Sequence, residues 1–418
     1  MTSTKINRAA FVIARCREIA GFTEVSGETT RFFLTQSMHA VHALLRRWSE
    51  GIGMTVHVDA AGNLRAFWPG SSPKSPRLII GSHLDTVPNA GAFDGTLGVV
   101  LGISIVEQLR GKHLPFAIEV IGFSEEEGVR FNKPFLGSLA VVGKLDAEIL
   151  ALKDCDSISV SEAIRAFGLD PAQIPEAILS EEAFAYLELH IEQGPVLESE
   201  ETPLAVVEAL VGQTRMQLTF SGQTNHAGTT PMHLRHDALA AAAEWVVSVE
   251  QYAGSYNGLV ATVGKIEVSP SAGNVIAGHV PASLDVRHAN DEIRKLAVAT
   301  LQQSAEQAAA KRGVRVTAFS QLDQSAVPLD LRLAAILQEA ATRAGITSRR
   351  MVSGAGHDAM ILAPYVPSAM LFLRSPGGLS HHPDETVLST DVEAALATAM
   401  EFLELLRGDI AIPKEHHA

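Results

Sequence analysis

The sequence predicts an α/β fold with a mixed sheet, interrupted by an inserted β-α-β-β-α-β unit. Three observations carry this reading. From Arg77 the chain alternates short apolar runs with a helical pattern; between Gly212 and about Asp330 the order of patterns changes; from Leu331 the first rhythm resumes. In order, RLIIGSH is an apolar run of strand length, and a Gly-rich loop separates it from GTLGVVLGISIVEQLR, whose apolar residues recur at helical spacing. FAIEVIGFSEEEG opens as a second buried strand, so a strand-helix-strand unit with a partly parallel sheet is expected. In YLELHIEQ, Tyr186, Glu188, His190 and Glu192 alternate with apolar partners, which gives a third strand whose polar face needs an explanation.

The insert begins with RMQLTFSG as a strand and HDALAAAAEWVVSVEQYA as a helix. GLVATVGKIEVSP and ASLDVRH follow as two strands, DEIRKLAVATLQQSAEQAAAKRG as a helix and VRVTAFSQ as a strand. That order is a split-βαβ, ferredoxin-like unit able to form its own domain. LRLAAILQEAATRAG then resumes a helix and SAMLFLRS a buried strand that completes the first sheet. The expected division is residues 1–211 with 331–418 for the discontinuous first domain and 212–330 for the insert.

Composition narrows the function. The chain has 418 residues, 46% of them hydrophobic, enough for about two or three domains. Its net charge of −14 and 6% aromatic content oppose phosphate-backbone binding, so nucleic acid is not an expected partner. Cys16 and Cys155 make neither a disulfide framework nor a cysteine-based zinc site, which fits a reducing cytoplasm and leaves any metal to histidines and carboxylates. The apolar stretch at Ala9–Ala14 is cut by Arg15, too short for a signal peptide, and Leu97–Val106 stops at Glu107, short of the ~20 residues that span a bilayer. A cytoplasmic protein with no membrane partner is expected.

The chemistry-bearing residues gather after the strands. His83 and Asp85 are two apart, a spacing that lets Asp85 hydrogen-bond the far nitrogen of His83 if the segment stays extended. Asp94, in NAGAFDG at a helix entrance, fits an N-cap when taken alone. Glu125, Glu126 and Glu127 end an apolar strand; they read either as a solvated charge run or as a metal-coordinating carboxylate beside one that handles protons. His190 shares a strand face with Glu192, with Gln193 next, and alone fits a structural histidine. His381 and His382 sit in a Gly/Pro turn. Taken together, His83, Asp94, Glu127, His190 and His381 each fall at or beyond a strand end, and five oxygen and nitrogen donors suit two divalent ions sharing one carboxylate.

GSHLDTVPNAGAFDG, FSEEEGVRF, ELHIEQGPVLE, GQTNHAGTTPM, SGAGHDAM and GLSHHPDE, colinear from Gly81 to Glu385, resemble the motifs of the hydantoinase/carbamoylase family. These are dinuclear amidohydrolases within the aminoacylase and carboxypeptidase superfamily, among them N-carbamoyl-L-amino-acid hydrolases, allantoate amidohydrolases and β-ureidopropionases. The resemblance implies a metallohydrolase catalytic domain with a lid and dimerisation insert. It implies one metal on His83 and His190, the other on Glu127 and His381, Asp94 bridging, Asp85 orienting His83 and Glu126 as general base. The family's SHNP reads SHHP here, so His382 replaces an Asn and is taken as a bystander. His226, otherwise a turn histidine, becomes an oxyanion donor. Asn274 and Arg287 become ligands of the substrate carboxylate, Arg287 otherwise being a solvated strand-end charge. The family's NVIPG reads NVIAG, which predicts a less rigid loop. Gln193 and His357 are further candidates for substrate contact, with turn packing as the alternative at His357 and Asp358.

The expected cofactors are two divalent ions per subunit, zinc first, with manganese, cobalt and nickel also compatible with mixed His and carboxylate ligands. The expected substrate is a small anionic ureido or N-carbamoyl compound, with a homodimer supplying substrate residues in trans. Two alternatives share the residues: a dinuclear metallopeptidase or N-acyl-amino-acid deacylase, and a noncatalytic metal or amino-acid binding protein, against which the presence of Glu126 argues.

Overall fold

The apolar runs form the interior of a mixed sheet. The computed structural model describes residues 7–112 and 114–411; residues 1–6 and 412–418, the extremes of the expected first domain, lie outside them. Two units emerge, Met1–Glu208 with Leu329–Ala418, and Ala209–Pro328. The strands begin with β1 (Thr55–Val58), β2 (Leu64–Trp68), β3 (Arg77–His83), β4 (Ala117–Phe123), β5 (Ala183–Ile191) and β6 (Leu204–Leu210). They continue with β7 (Gly212–Ser221), β8 (Asn225–His226), β9 (Val260–Thr262), β10 (Val275–Ile276), β11 (His279–His288), β12 (Arg315–Gln324) and β13 (Val327–Pro328). β14 (Ser348–Ser353) and β15 (Ser368–Leu373) follow.

In the first unit the sheet order is β1-β2-β4-β3-β5-β15-β6, and β14 also pairs with β6. β4, β3, β5 and β15 are mutually parallel, whereas β2 joins β4 and β6 joins β15 antiparallel. Every residue of β4 and β15 is buried, as strands covered on both faces require. The helix Thr96–Gln108 is buried from Thr96 to Val106, which explains its apolar composition on all sides. Glu119 is the one charge within β4, and it is held by Arg65 and Arg77, each at 2.7 Å; a buried carboxylate persists only when paired in this way. Because β3, β4, β5 and β15 point the same way, their C-terminal ends and the loops beyond share one edge of the sheet.

In the second unit an antiparallel sheet runs β12-β7-β11-β9. β7 and β11 alternate buried and less buried residues, and their buried side packs with helices Ala238–Gly254 and Asp291–Ala310. Asp237 and Asn290 cap those helices through their side chains. Trp245 fills the core between them and donates its indole N–H to the Leu301 carbonyl at 2.9 Å. The strand expected over GLVATVGKIEVSP is shorter than its pattern: β9 has three residues, and beyond Gly264 only the isolated bridges Ile266–Ala282 and Ser269–His279 continue it. Gly264 interrupts the alternation with no side chain to pack. Among the described residues no helix is long and apolar enough to cross a membrane.

Candidate active site

His83 ends β3 and His190 lies one residue from the end of β5, so the parallel pairing sets their Nε2 atoms 3.4 Å apart. Each Nδ1 meets a carbonyl: Asp85 O at 3.0 Å for His83 and Ile191 O at 2.9 Å for His190. A carbonyl only accepts, so in the neutral rings Nδ1 carries the proton and Nε2 keeps its lone pair for a ligand.

Asp94 lies between two groups of donors. Its Oδ1 is 3.3 Å from His190 Nε2 and 3.7 Å from His83 Nε2, while its Oδ2 is 3.2 Å from His381 Nε2. His381 Nε2 is also 3.5 Å from Glu127 Oε1. The triads His83–Asp94–His190 and Asp94–Glu127–His381 each have the spacing to hold a metal ion, and they share Asp94. The Asp94 side chain therefore caps no helix; Gly95 occupies the cap of Thr96–Gln108 and makes no side-chain bond there. Glu126 borders both triads, with Oε2 3.9 Å from His83 Nε2, and it forms a further possible grouping with His83 and Glu127.

The expected bond from the Asp85 carboxylate to the His83 ring does not form; the two are 3.9 Å apart. The strand ends at His83, and the turn presents the Asp85 carbonyl to the ring instead. The carboxylate accepts the backbone N–H of Glu126 and of Glu127, each at 3.0 Å, and so fastens the loop after β4.

The electrostatics are those of crowded buried acids. Burial raises Glu126 well above the carboxylate range; His83 opposes this, while Glu127 and Asp358 add to it. Burial and the neighbouring Asp94 lift Glu127 to about 7. The hydrogen bond to Asp94 raises His381 to about 9, whereas burial pushes His190 down to about 4. Carboxylates packed this closely repel one another, and a divalent cation among them relieves the repulsion. The free Nε2 lone pairs and the mixed His, Asp and Glu donors fit such an ion.

Gln193 and His357 join this cluster. Gln193 donates its amide to both Asp94 oxygens at 3.1 Å, and His357 is buried with its ring centroid 4.4 Å from that of His190 and Nε2 3.0 Å from Ser353 Oγ. His382 stands apart, exposed, with Nδ1 accepting the Asp384 N–H at 3.1 Å. Gln193, His381 and Glu125, in the loops around the cluster, have φ of 60°, 55° and 51°, in the left-handed region.

In the second unit His226 on β8 faces Val275 on β10, and the Asn274 carbonyl accepts the Ala227 N–H at 2.9 Å, so His226 and Asn274 are neighbours on an exposed two-stranded piece. Arg287 is on a different strand, β11, where Asp285 holds it at 2.9 Å.

Two buried residues near the first-unit cluster are assigned no role by the sequence. Glu188 accepts from Tyr186 Oη at 3.0 Å, Ser82 Oγ at 3.3 Å and Ala359 N–H at 2.8 Å, which accounts for the polar face of β5. Arg31 donates to the Leu84 carbonyl and to Thr96 Oγ, each at 3.0 Å, tying the exit of β3 to the next helix. The alternation in YLELHIEQ signalled the first; nothing in GETTRFF signals the second.

Known proteins resemble this chain over nearly its whole length. The profile of peptidase family M20/M25/M40 matches residues 79–406. Allantoate deiminase 1 of Glycine max is 38% identical over 94% of this chain and 89% of its own. An N-carbamoyl-L-amino acid amidohydrolase of Geobacillus stearothermophilus is 38% identical over 86% of this chain and 89% of its own. A solved amidase of the hydantoinase/carbamoylase family from Burkholderia multivorans superposes with a TM-score of 0.90 at 32% identity, covering 96% of this chain and 97% of that one. The chain belongs to peptidase family M20/M25/M40, in its hydantoinase/carbamoylase branch, and is a hydrolase of amide C–N bonds.

Proposed function

We propose that this hydrolase cleaves the carbamoyl (ureido) C–N bond of a small anionic N-carbamoyl amino acid or allantoate-like ureido acid. The observation that carries the reading is Asp94, whose two oxygens face two separate donor groups with Glu126 beside both. His83 and His190 would hold one divalent ion and Glu127 and His381 the other, with Asp94 common to both; zinc, manganese, cobalt and nickel all suit these donors. When bound, the ions supply Lewis acidity that acidifies water and polarises the substrate carbonyl.

The protein's residues do the rest. Glu126 accepts the proton of the attacking water and returns it to the leaving nitrogen. Asp85 keeps Glu126 and Glu127 in place through their backbone N–H groups. His226 donates to the developing oxyanion, and Arg287, positioned by Asp285, grips the substrate carboxylate with Asn274. Gln193 and His357 contact the remaining polar groups. Water attack yields the amine and carbamate, which decomposes to carbon dioxide and ammonia. We read Ala209–Pro328 as a ferredoxin-like lid and dimerisation domain that supplies His226, Asn274 and Arg287 to the site of a second subunit in a cytoplasmic homodimer.

The test is ammonia release from N-carbamoyl-L- and D-amino acids, β-ureidopropionate and allantoate, with N-acetyl amino acids and dipeptides alongside. Metal-dependent ammonia from a ureido compound supports the reading. Cleavage confined to the acyl or peptide substrates contradicts it in favour of a deacylase or peptidase.

A further inference from the structure

We propose that Glu385 is a positioning residue that fastens together the two loops carrying Asp94 and His381. It is 5% exposed. Its Oε1 accepts the backbone N–H of Phe93 and of Asp94, each at 3.0 Å, and its Oε2 accepts the Ser380 hydroxyl at 3.2 Å. One carboxylate thus grips the peptides of Phe93 and Asp94, 292 and 291 positions away in sequence, on one side and, on the other, the residue preceding His381, five positions away. The loops are also packed on it: a Cβ at Gly91 would come 2.3 Å from Glu385 Cβ.

The geometry separates this role from metal ligation. Both Glu385 oxygens are committed to the three donors named, and the residue lies in none of the donor groupings around the cluster. Ser380 Oγ is also 3.4 Å from Asp94 Oδ2, so the carboxylate that both triads share is an alternative acceptor for its single proton. Loss of Glu385 leaves two buried N–H groups unpaired and frees the Asp94 loop to move relative to His381. The triad Asp94–Glu127–His381 depends on both loops, whereas His83 and His190 are seated on strands. Weakening falls mainly on the ion held by that triad. The inference rests on the two-ion reading proposed above.

The test is titration of the metal-stripped full chain with manganese(II) alone, followed by calorimetry and by electron paramagnetic resonance of the free ion. Wild type is expected to take up two ions. Glu385→Ala is expected to bind one ion about as wild type and the other roughly 10–100-fold more weakly, the range for loss of a partner of a metal ligand. Glu385→Gln is expected to restore most of the loss, because its amide oxygen accepts both N–H groups and its NH₂ donates to Ser380. If the Ala variant does not fold, Glu385→Asp, one methylene shorter, is expected to show the same selective weakening. Wild-type affinity for both ions in Glu385→Ala or Glu385→Asp overturns the proposal, as does a Gln variant as weak as the Ala variant. A wild type that takes up fewer than two ions overturns the two-ion reading, and this proposal with it.

Discussion

At the scale of single residues, the adjacent acids Glu126 and Glu127 have separable tasks. Glu127 is 3.5 Å from His381 Nε2 and belongs to one of the two triads that share Asp94, whereas Glu126 belongs to neither of those and groups with His83 and Glu127. Glu126→Gln is therefore expected to retain two ions while turnover falls by about 10²–10⁴, the usual contribution of a general acid-base group. Glu127→Ala is expected to lose one ion. Metal content by mass spectrometry alongside ammonia release checks both, and the reverse pattern would exchange the two roles. The donors were legible in the sequence because each lies in a short motif at the end of an apolar run. The partner of Asp85 was not, because the choice between its carbonyl and its carboxylate for His83 is made by the turn after the strand.

At the scale of elements, the loop from β3 into Thr96–Gln108 needs a glycine at its end. Gly95 has φ +61°, and a Cβ there would come 2.4 Å from the His83 ring. Gly95→Ala is expected to lower stability by about 1–3 kcal/mol from this positive-φ backbone alone, which lies outside the left-handed helical well at ψ −54°, and to displace His83. Thermal unfolding and metal content measure the two effects, and unchanged metal uptake would mean that the ring accommodates the methyl group. On the helix Gln36–Gly51, His42 is buried beside Phe167 with neither ring nitrogen hydrogen-bonded among the described residues. Burial, with His39 and Arg46 adding to it, lowers its pKa from 6.5 to about 3. As pH falls below 6.5 the unfolded chain takes up a proton that the folded chain refuses, so stability declines, by about 2 kcal/mol at pH 5. His42→Leu is expected to flatten that slope in urea unfolding between pH 7 and 5; an unchanged slope would place the proton elsewhere. The interior strands were legible as uninterrupted apolar runs. β1 and β2 were not: β1 is a four-residue edge strand with a half-exposed pattern that resembles a loop, and β2 is a five-residue strand beside it; at β9 the pattern was legible but longer than the strand.

At the scale of the molecule, the parallel strands β3, β4, β5 and β15 gather donors from residues 83 to 381 at one edge of the sheet. The sequence separates these donors widely, and only the pairing order brings them together. If the second unit completes the site of a neighbouring subunit, mixed subunits of inactive Glu126→Gln and inactive Arg287→Ala are expected to regain up to about a quarter of wild-type activity, a statistical limit for shared sites. No recovery after verified subunit exchange would contradict completion in trans. The central claim, a pair of cations on either side of Asp94, is tested most directly by anomalous diffraction from crystals grown with zinc. Two anomalous peaks are expected, one beside Asp94 Oδ1 among His83 and His190 and one beside Oδ2 among Glu127 and His381. Saturating zinc with no peak at these residues, or a single peak that leaves one triad unligated, would contradict it.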